Sequence, residues 1–259
     1  MSERDARPRL VLIHGWAQHA GVWQQWEERL SAIADIESVD LPGHGGTRWD
    51  PAIRNLDQLA DSVLPALEHR AAVCGWSLGG LVALNLAMRY PARIDRLVLC
   101  NTTPRFLNGD SWTHGVDPSL HAGFRRKIAD DPGRVLRDFL SLQLRGEKDS
   151  RQTLGLLRGA LSDTLRPGRD TLQVTLDLLG LTDLRDALPD IGQPALVVAS
   201  DADAVTPAAA AGYLARYLPA ACSITLRGCG HAGPLSRPHR LSGTLEDFLH
   251  GEPSRELAS

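Results

Sequence analysis

Residues 75–80 read Gly-Trp-Ser-Leu-Gly-Gly, and this run limits most strongly what the chain can fold into. The short apolar stretch 71–74 before it predicts a buried strand, and the apolar periodicity of 78–90 after it predicts a helix. A strand that passes through Gly-x-Ser-x-Gly into a helix predicts a sharp turn with the hydroxyl of Ser77 exposed. We therefore predict that Ser77 is a nucleophile, placed where the N–H groups of the helix favour negative charge.

The same alternation of strand and helix recurs along the chain. Strands are predicted at 9–13, 36–40, 71–74, 94–100, 194–200 and 222–226. Helices are predicted at 22–34, 56–67, 78–90, 207–218 and 235–249. This order is typical of an α/β protein with a mostly parallel, twisted sheet and helices on both faces.

The alternation stops between residues 105 and 185. This part contains only helical stretches, such as 132–144, 151–161 and 171–178. We predict a core formed by 1–104 and 186–259, interrupted by a helical insertion over 105–185. An insertion at the carboxyl edge of a parallel sheet lies where ligands bind in such folds, which predicts that it is a lid.

A serine hydroxyl needs a base to remove its proton and an acid to orient that base. Among nine histidines, His231 follows the last predicted strand in a glycine-rich loop, and we predict that it is the base. The acid is expected after the preceding strand, where Asp201 and Asp203 both stand. We favour Asp203 because it lies farther into the loop, four residues before Pro207, which can open the next helix. Asp201 stays the alternative.

The negative oxygen that forms when serine attacks a carbonyl also needs donors. One predicted donor is the backbone N–H of Leu78, and the other is that of Trp16, in the loop after the first strand. Each such donor typically contributes about 3–4 kcal/mol to the transition state. His14 is interpreted as a residue that holds this loop and His44 as one that packs a turn, and no metal site is predicted.

Composition excludes several classes of protein. The chain has 259 residues, 43% of them apolar, and a net charge of −3, which argues against disorder and against nucleic-acid binding. Its four cysteines form no pattern typical of a disulfide framework or of zinc binding. Residues 1–9 are polar and charged and lack the apolar region of a secretory signal, and no apolar run reaches the ~18 residues of a membrane span. We expect a cytoplasmic monomer without a cofactor, a membrane or a nucleic-acid partner.

Together these motifs resemble the α/β-hydrolase superfamily, and the resemblance implies the α/β-hydrolase fold. The motifs are His14-Gly15-Trp16, Asp40-Leu-Pro-Gly-His-Gly45, Gly75 to Gly79, Asp203 and His231. The stretch 139–146, Phe-Leu-Ser-Leu-Gln-Leu-Arg-Gly, followed by Arg151-Gln152, is similar to the lid of the pimeloyl-acyl-carrier-protein methyl ester esterases of biotin synthesis. Dehalogenases and epoxide hydrolases are disfavoured because their nucleophile is an aspartate.

The closer resemblance implies a serine carboxylesterase that hydrolyses the methyl ester of pimeloyl-acyl-carrier protein. It implies substrate contacts by Trp16, Ser77, Leu78, Phe139, Leu140, Ser141, Leu142, Gln143 and His231. It also implies that lid arginines meet the carrier protein, here Arg134 and Arg151, whereas Asp138 and Gly155 stand where arginine is common. Residues 121–170 carry a net charge of +4 and leave −7 on the rest, which independently favours an acidic partner.

Two alternative hypotheses about the function remain. The triad is shared with hydrolases of small esters, lactones and C–C bonds, so it does not select among these reactions. The second of these hypotheses is a non-catalytic binding protein with the same fold, although binding alone does not require all three catalytic groups.

Overall fold

A six-stranded sheet forms the centre of the computed structural model, which describes residues 7–147, 150–158 and 166–251. Its strands are β1 (Arg9–Ile13), β2 (Asp35–Val39), β3 (Ala71–Trp76), β4 (Ile94–Cys100), β5 (Ala195–Ser200) and β6 (Ala221–Leu226). The order across the sheet is β2-β1-β3-β4-β5-β6, and every neighbouring pair is parallel. The predicted parallel α/β architecture is therefore confirmed.

Helices cover both faces of this sheet. The strands in its middle are therefore buried on both sides, which is why their sequences are continuously apolar. One face packs against α2 (Leu56–Asp61), α3 (Leu78–Arg89) and α8 (Ala208–Tyr217). The other packs against α1 (Gln24–Leu30), α9 (Gly233–Ser236) and α10 (Ser242–His250). Alternate residues of each strand enter opposite cores: Val73 belongs to the first, whereas Ala72 and Cys74 belong to the second.

Three predicted helices are shorter than expected because a turn or a proline interrupts them. The first opens with a 3₁₀ turn, Ala20–Trp23, before α1. The second breaks after α2 into a 3₁₀ turn at Leu64–Leu67 that contains Pro65. The last is divided by the 3₁₀ turn Pro238–Arg240, since a proline lacks the N–H that an uninterrupted helix needs.

The insertion between β4 and β5, the predicted lid, contains four α-helices in the described residues and is called the lid below. They are α4 (Pro118–Asp130), α5 (Pro132–Gln143), α6 (Ser150–Arg158) and α7 (Arg169–Leu181). Asp117 caps α4 and Asp131 caps α5, each by accepting a hydrogen bond from a backbone N–H of the first turn. Where the insertion leaves and rejoins the core, Arg105 and Asp183 form a backbone bridge and an ion pair of 3.1 Å. The predicted helix 151–161 extends into residues outside the described ones.

Candidate active site

The turn between β3 and α3 places Ser77 at the carboxyl edge of the sheet. Ser77 has φ +56° and ψ −117°, a strained conformation for a residue with a side chain. A Cβ at Gly75 would lie 2.2 Å from the carbonyl oxygen of Gly79, and one at Gly79 would lie 2.2 Å from that of Ile13. Only glycine lets the backbone approach this closely, so both glycines of the motif are required by the packing.

Ser77, His231 and Asp203 form one continuous chain of hydrogen bonds. The Ser77 Oγ lies 3.0 Å from His231 Nε2, and His231 Nδ1 lies 2.8 Å from Asp203 Oδ2. The side chains of His231 and Asp203 are fully buried. Asp203 follows β5 and His231 follows β6, so the parallel sheet brings together residues separated by up to 154 positions in the sequence. This arrangement can remove the hydroxyl proton of Ser77 and stabilise the resulting imidazolium.

The two candidate acids have different surroundings. Asp203 Oδ1 accepts hydrogen bonds from the N–H groups of Val205 (2.7 Å) and Thr206 (2.9 Å), which aim Oδ2 at His231. Asp201 Oδ1 accepts a hydrogen bond of 2.7 Å from the N–H of Gly228. The geometry therefore favours Asp203 as the acid, and Asp201 holds the loop that carries His231.

Asn101 is a residue of the site that sequence analysis missed. It follows β4 with φ +41°, and its Nδ2 donates to the carbonyl oxygen of His231 over 2.8 Å. The indole N–H of Trp76 donates to the same carbonyl over 2.9 Å. The sequence signal for this residue is an amide side chain directly after an apolar strand, because such a position lies at the carboxyl edge of the sheet.

The predicted donors for a negative oxygen lie beside Ser77. Leu78 is the first residue of α3, where an N–H group has no partner within the helix. The loop that carries Trp16 packs on the turn: a Cβ at Gly15 would lie 3.1 Å from the Cβ of Ser77. The indole N–H of Trp16 donates to the carbonyl of Leu172 in the lid over 3.3 Å, which fixes this loop against α7.

His14 and His44 are buried beneath that loop. His14 Nε2 accepts a hydrogen bond of 3.0 Å from the N–H of Leu41, so Nδ1 carries the proton and donates to the carbonyl of Gly15 over 2.8 Å. Burial, with the neighbouring His44, holds the pKa of His14 well below 6.5. Burial also lowers the pKa of His44 to about 4. In the described ranges, no three His, Cys, Asp or Glu side chains are grouped so that they could hold a metal ion.

These two histidines should make the fold sensitive to mild acid. Both are neutral when folded and take up protons near pH 6.5 when unfolded, so the free energy of unfolding should fall as pH drops below 6.5. Each can contribute up to about 1.4 kcal/mol per pH unit. Chemical denaturation between pH 7.5 and 5 measures the slope, which should be shallower in His44→Gln. Equal slopes in the two proteins would contradict this prediction for His44.

An apolar pocket opens over Ser77 between the core and the lid. The space between its walls is about 520 Å³, part of which is open to solvent. Its walls are Trp16, Ser77, Phe106, Val116, Leu120, His121, Phe124, Phe139, Leu142, Leu176, Leu179, Ala204 and Val205. The rings of Trp16 and Phe139 meet edge to face, with their centroids 4.8 Å apart, so core and lid are joined at the pocket wall.

The structure divides the five predicted contact residues of α5 between its faces. Phe139 and Leu142 line the pocket. Leu140 packs in the opposite core, Ser141 is exposed, and Gln143 is buried with its Oε1 3.4 Å from Nε2 of Gln18. A helix turns about 100° per residue, so five consecutive side chains cannot face one cavity. Direct substrate contact by Leu140 and Ser141 is therefore not supported by the geometry.

The predicted partner-binding arginines lie on the outer surface of the lid. Arg134 on α5 and Arg151 on α6 are both exposed. Asp138, which stands where arginine is common in the resembled family, forms an ion pair of 3.6 Å with Lys127. No helix among the described residues is both long and apolar enough to cross a membrane.

Comparison with known proteins shows the family to which the chain belongs. A family model described as the alpha/beta hydrolase family matches residues 10–244, and the chain belongs to this family. Within it, the chain is 40% identical over 233 residues to the pimeloyl-acyl-carrier-protein methyl ester esterase of Nitrosomonas europaea, covering 90% of this chain and 92% of that protein. It is also 40% identical over 251 residues to the protein of the same name from Aromatoleum aromaticum, covering 95% and 99%. The family resemblance predicted from the motifs is therefore confirmed.

A solved structure supports the fold independently. An esterase from Exiguobacterium antarcticum has a TM-score of 0.85 with this chain at 18% identity, covering 94% of this chain and 92% of that one. At this identity the likeness concerns the fold alone.

Proposed function

We propose that the protein is a serine esterase that hydrolyses the methyl ester of pimeloyl-acyl-carrier protein, as the names of its relatives indicate for those proteins. The observation that carries the proposal is the hydrogen-bonded chain from Ser77 through His231 to Asp203 at an apolar pocket. The triad alone is common to several hydrolase reactions. The specific ester is supported by the relatives and by the lid.

In the first half of the reaction, Ser77 Oγ attacks the ester carbonyl while His231 Nε2 takes its proton. The N–H groups of Leu78 and Trp16 stabilise the negative oxygen of the tetrahedral intermediate. The C–O bond to the methoxy group then breaks, and His231 returns the proton to the leaving oxygen. Methanol departs, and the acyl group stays esterified to Ser77.

In the second half, a water molecule replaces methanol. His231 takes one proton from the water, whose oxygen attacks the acyl carbonyl and forms a second tetrahedral intermediate. This intermediate collapses as the bond to Ser77 Oγ breaks, and the serine recovers its proton from His231. The products are a carboxylic acid and the regenerated enzyme, with Asp203 stabilising the imidazolium in both halves.

The pocket suits the acyl part of this substrate. A chain of methylene groups gains free energy by leaving water for apolar walls such as Phe139, Leu142 and Leu176. A methyl ester carries no charge and can enter, whereas the carboxylate product is costly to hold there. The pocket therefore favours binding of the ester and release of the acid.

The positive surface of the lid supports a carrier protein as the partner. Alongside Arg134 and Arg151, Arg137, Arg145 and Arg158 are also exposed on or beside α5 and α6. Exposed charges of one sign attract an acidic partner and raise its association rate in a salt-dependent way. We propose that Arg134 and Arg151 take part in this attraction.

Reversing the charge of these two arginines should weaken recognition of the carrier substrate alone. Arg134→Glu with Arg151→Glu should raise KM for the carrier-bound ester roughly tenfold at low salt, and the defect should shrink as salt rises. Hydrolysis of a small neutral ester should barely change. The control is Arg29→Glu with Arg216→Glu, two exposed arginines on core helices. Equal losses on both substrates would contradict carrier recognition by the lid pair.

We further propose that the enzyme acts as a cytoplasmic monomer. All four cysteines are free thiols, and the Sγ atoms of Cys74 and Cys100 lie 4.0 Å apart in a hydrogen bond rather than a disulfide, as expected in a reducing compartment. Light scattering at micromolar concentration should give the mass of one chain, and cell fractionation should place the protein with cytoplasmic markers.

Genetic complementation tests the proposed function in a cell. The gene should restore growth without biotin to a bacterial strain that lacks its own esterase for this step. The Ser77→Ala variant, expressed to the same level, should not. Growth with both forms, or with neither although the wild-type protein is abundant and folded, would contradict the proposal.

A further inference from the structure

The end of helix α5 contacts the active-site loops as well as the pocket. Residues 143–147, which we call the lid foot, form the end of α5 and the turn after it, and they contact the loops that follow β1, β5 and β6. Gln143 meets Gln18, which follows the loop of Trp16, through a side-chain contact of 3.4 Å. Gly146 has φ +85°, and a Cβ on it would lie 2.5 Å from the Cβ of Ala202, directly before Asp203.

The lid foot also contacts the loop that carries the base. Glu147 Oε1 accepts a hydrogen bond of 2.8 Å from the backbone N–H of Gly230, the residue before His231. A Cβ at Gly230 would lie 2.4 Å from the carbonyl oxygen of Arg145, so the two backbones are in direct contact. The lid foot is therefore packed against this loop and tied to it by a charged acceptor.

Two carboxylates hold the loop, one from the core and one from the lid. Asp201, on the core side, accepts from the N–H of Gly228, and Glu147, on the lid side, accepts from the N–H of Gly230. A loop with glycines at both positions has many accessible conformations, so its native conformation depends on such anchors. Hydrogen bonds to an ionised acceptor are the stronger kind.

We propose that Glu147 is a positioning residue that fixes His231 in line with Ser77 when the lid is seated. It touches neither the substrate nor the reacting atoms and acts through the backbone of Gly230. The inference rests on the triad of the proposed function, but not on the identity of the carrier-bound substrate. Its consequence is that the lid completes the catalytic geometry in addition to covering the pocket.

Loss of this anchor should slow the chemical step without weakening substrate binding. In Glu147→Ala, kcat for a p-nitrophenyl ester should fall roughly tenfold, the loss expected for one hydrogen bond to a charged group. The rate constant of labelling by a fluorophosphonate, which reports the activation of Ser77, should fall by a similar factor. KM and the melting temperature should stay close to those of the wild type.

Two further variants separate positioning from general stability. Glu147→Gln keeps an acceptor oxygen for Gly230 but loses the charge, so its kcat should lie between those of the wild type and Glu147→Ala. Glu68→Ala makes the same change at an exposed glutamate before β3, at the opposite edge of the sheet, and should leave both rates unchanged. Labelling rates, kcat, KM and melting temperatures are measured on all four proteins.

The outcomes distinguish this inference from the proposed function. If the wild type labels and turns over normally and Glu147→Ala does the same, the positioning role is overturned while the triad stands. A rise in KM at unchanged kcat, or a rate loss that follows the unfolded fraction, would also overturn it. A wild-type protein that neither labels nor hydrolyses the ester would overturn the triad and the inference together.

Discussion

Replacing Ser77 with alanine should remove nearly all esterase activity and leave the fold intact. The hydroxyl oxygen forms the bond to the acyl carbon, so no neighbouring group can substitute for it. Loss of the nucleophile in a triad typically lowers kcat by about 10⁶. Hydrolysis of a p-nitrophenyl ester measures the loss, and a fluorophosphonate should label the wild type but not the variant.

A control substitution at another serine tests whether the loss of activity is specific to Ser77. Ser62 is exposed at the end of α2, where its Oγ donates to the carbonyl of Leu59. Ser62→Ala should hydrolyse the ester and accept the label as the wild type does. Activity within tenfold of the wild type in Ser77→Ala would contradict the assignment of the nucleophile. A wild-type protein that neither hydrolyses the ester nor accepts the label would instead favour the interpretation of the protein as a binding module.

Asp203→Asn should lower kcat by about 10³–10⁴, the effect of removing the acid from a triad. An asparagine can keep the contacts of its Oδ1 with Val205 and Thr206, but its amide would then point at His231 Nδ1. That amide favours the tautomer with the proton on Nε2, which cannot take the proton of Ser77. Steady-state kinetics on a small ester measure the loss.

Asp201→Asn is the matched control for that change. Asp201 holds the backbone at Gly228, and an asparagine oxygen can still accept this hydrogen bond. Its kcat should therefore stay within about tenfold of the wild type, since one hydrogen bond is weakened and no catalytic group is lost. The reverse ranking of the two variants would move the acid to Asp201.

Much of the fold is predictable because its determinants are local. Strand β4 is an apolar run between turns, and its predicted bounds, 94–100, are those of the structure. Helix ends are less predictable: apolar periodicity continues through Pro65 and Pro238, where the backbone cannot remain α-helical. Helix α4 is not among the helices named in the sequence analysis. It has few buried residues, Ile128 being one, so its apolar periodicity is too weak to indicate a helix.

The candidate site is predictable where a motif or chain order identifies a role. Ser77 lies in its motif, and a parallel sheet brings the loops after β5 and β6 to the same edge. Asn101 and Glu147 act through the backbone of the His231 loop, and such contacts depend on how distant loops pack. The orientation of Leu140 away from the pocket likewise depends on how α5 is rotated against the core.

The reaction of the purified protein with pimeloyl-acyl-carrier protein methyl ester, followed by the intact mass of the carrier, tests the proposed substrate itself. The mass should fall by one methylene group as an equal amount of methanol appears. The thioester to the carrier should stay intact, and Ser77→Ala should give no change. If the carrier keeps its methyl ester, or loses the whole acyl chain, while the same protein hydrolyses a small ester, the proposed function is wrong.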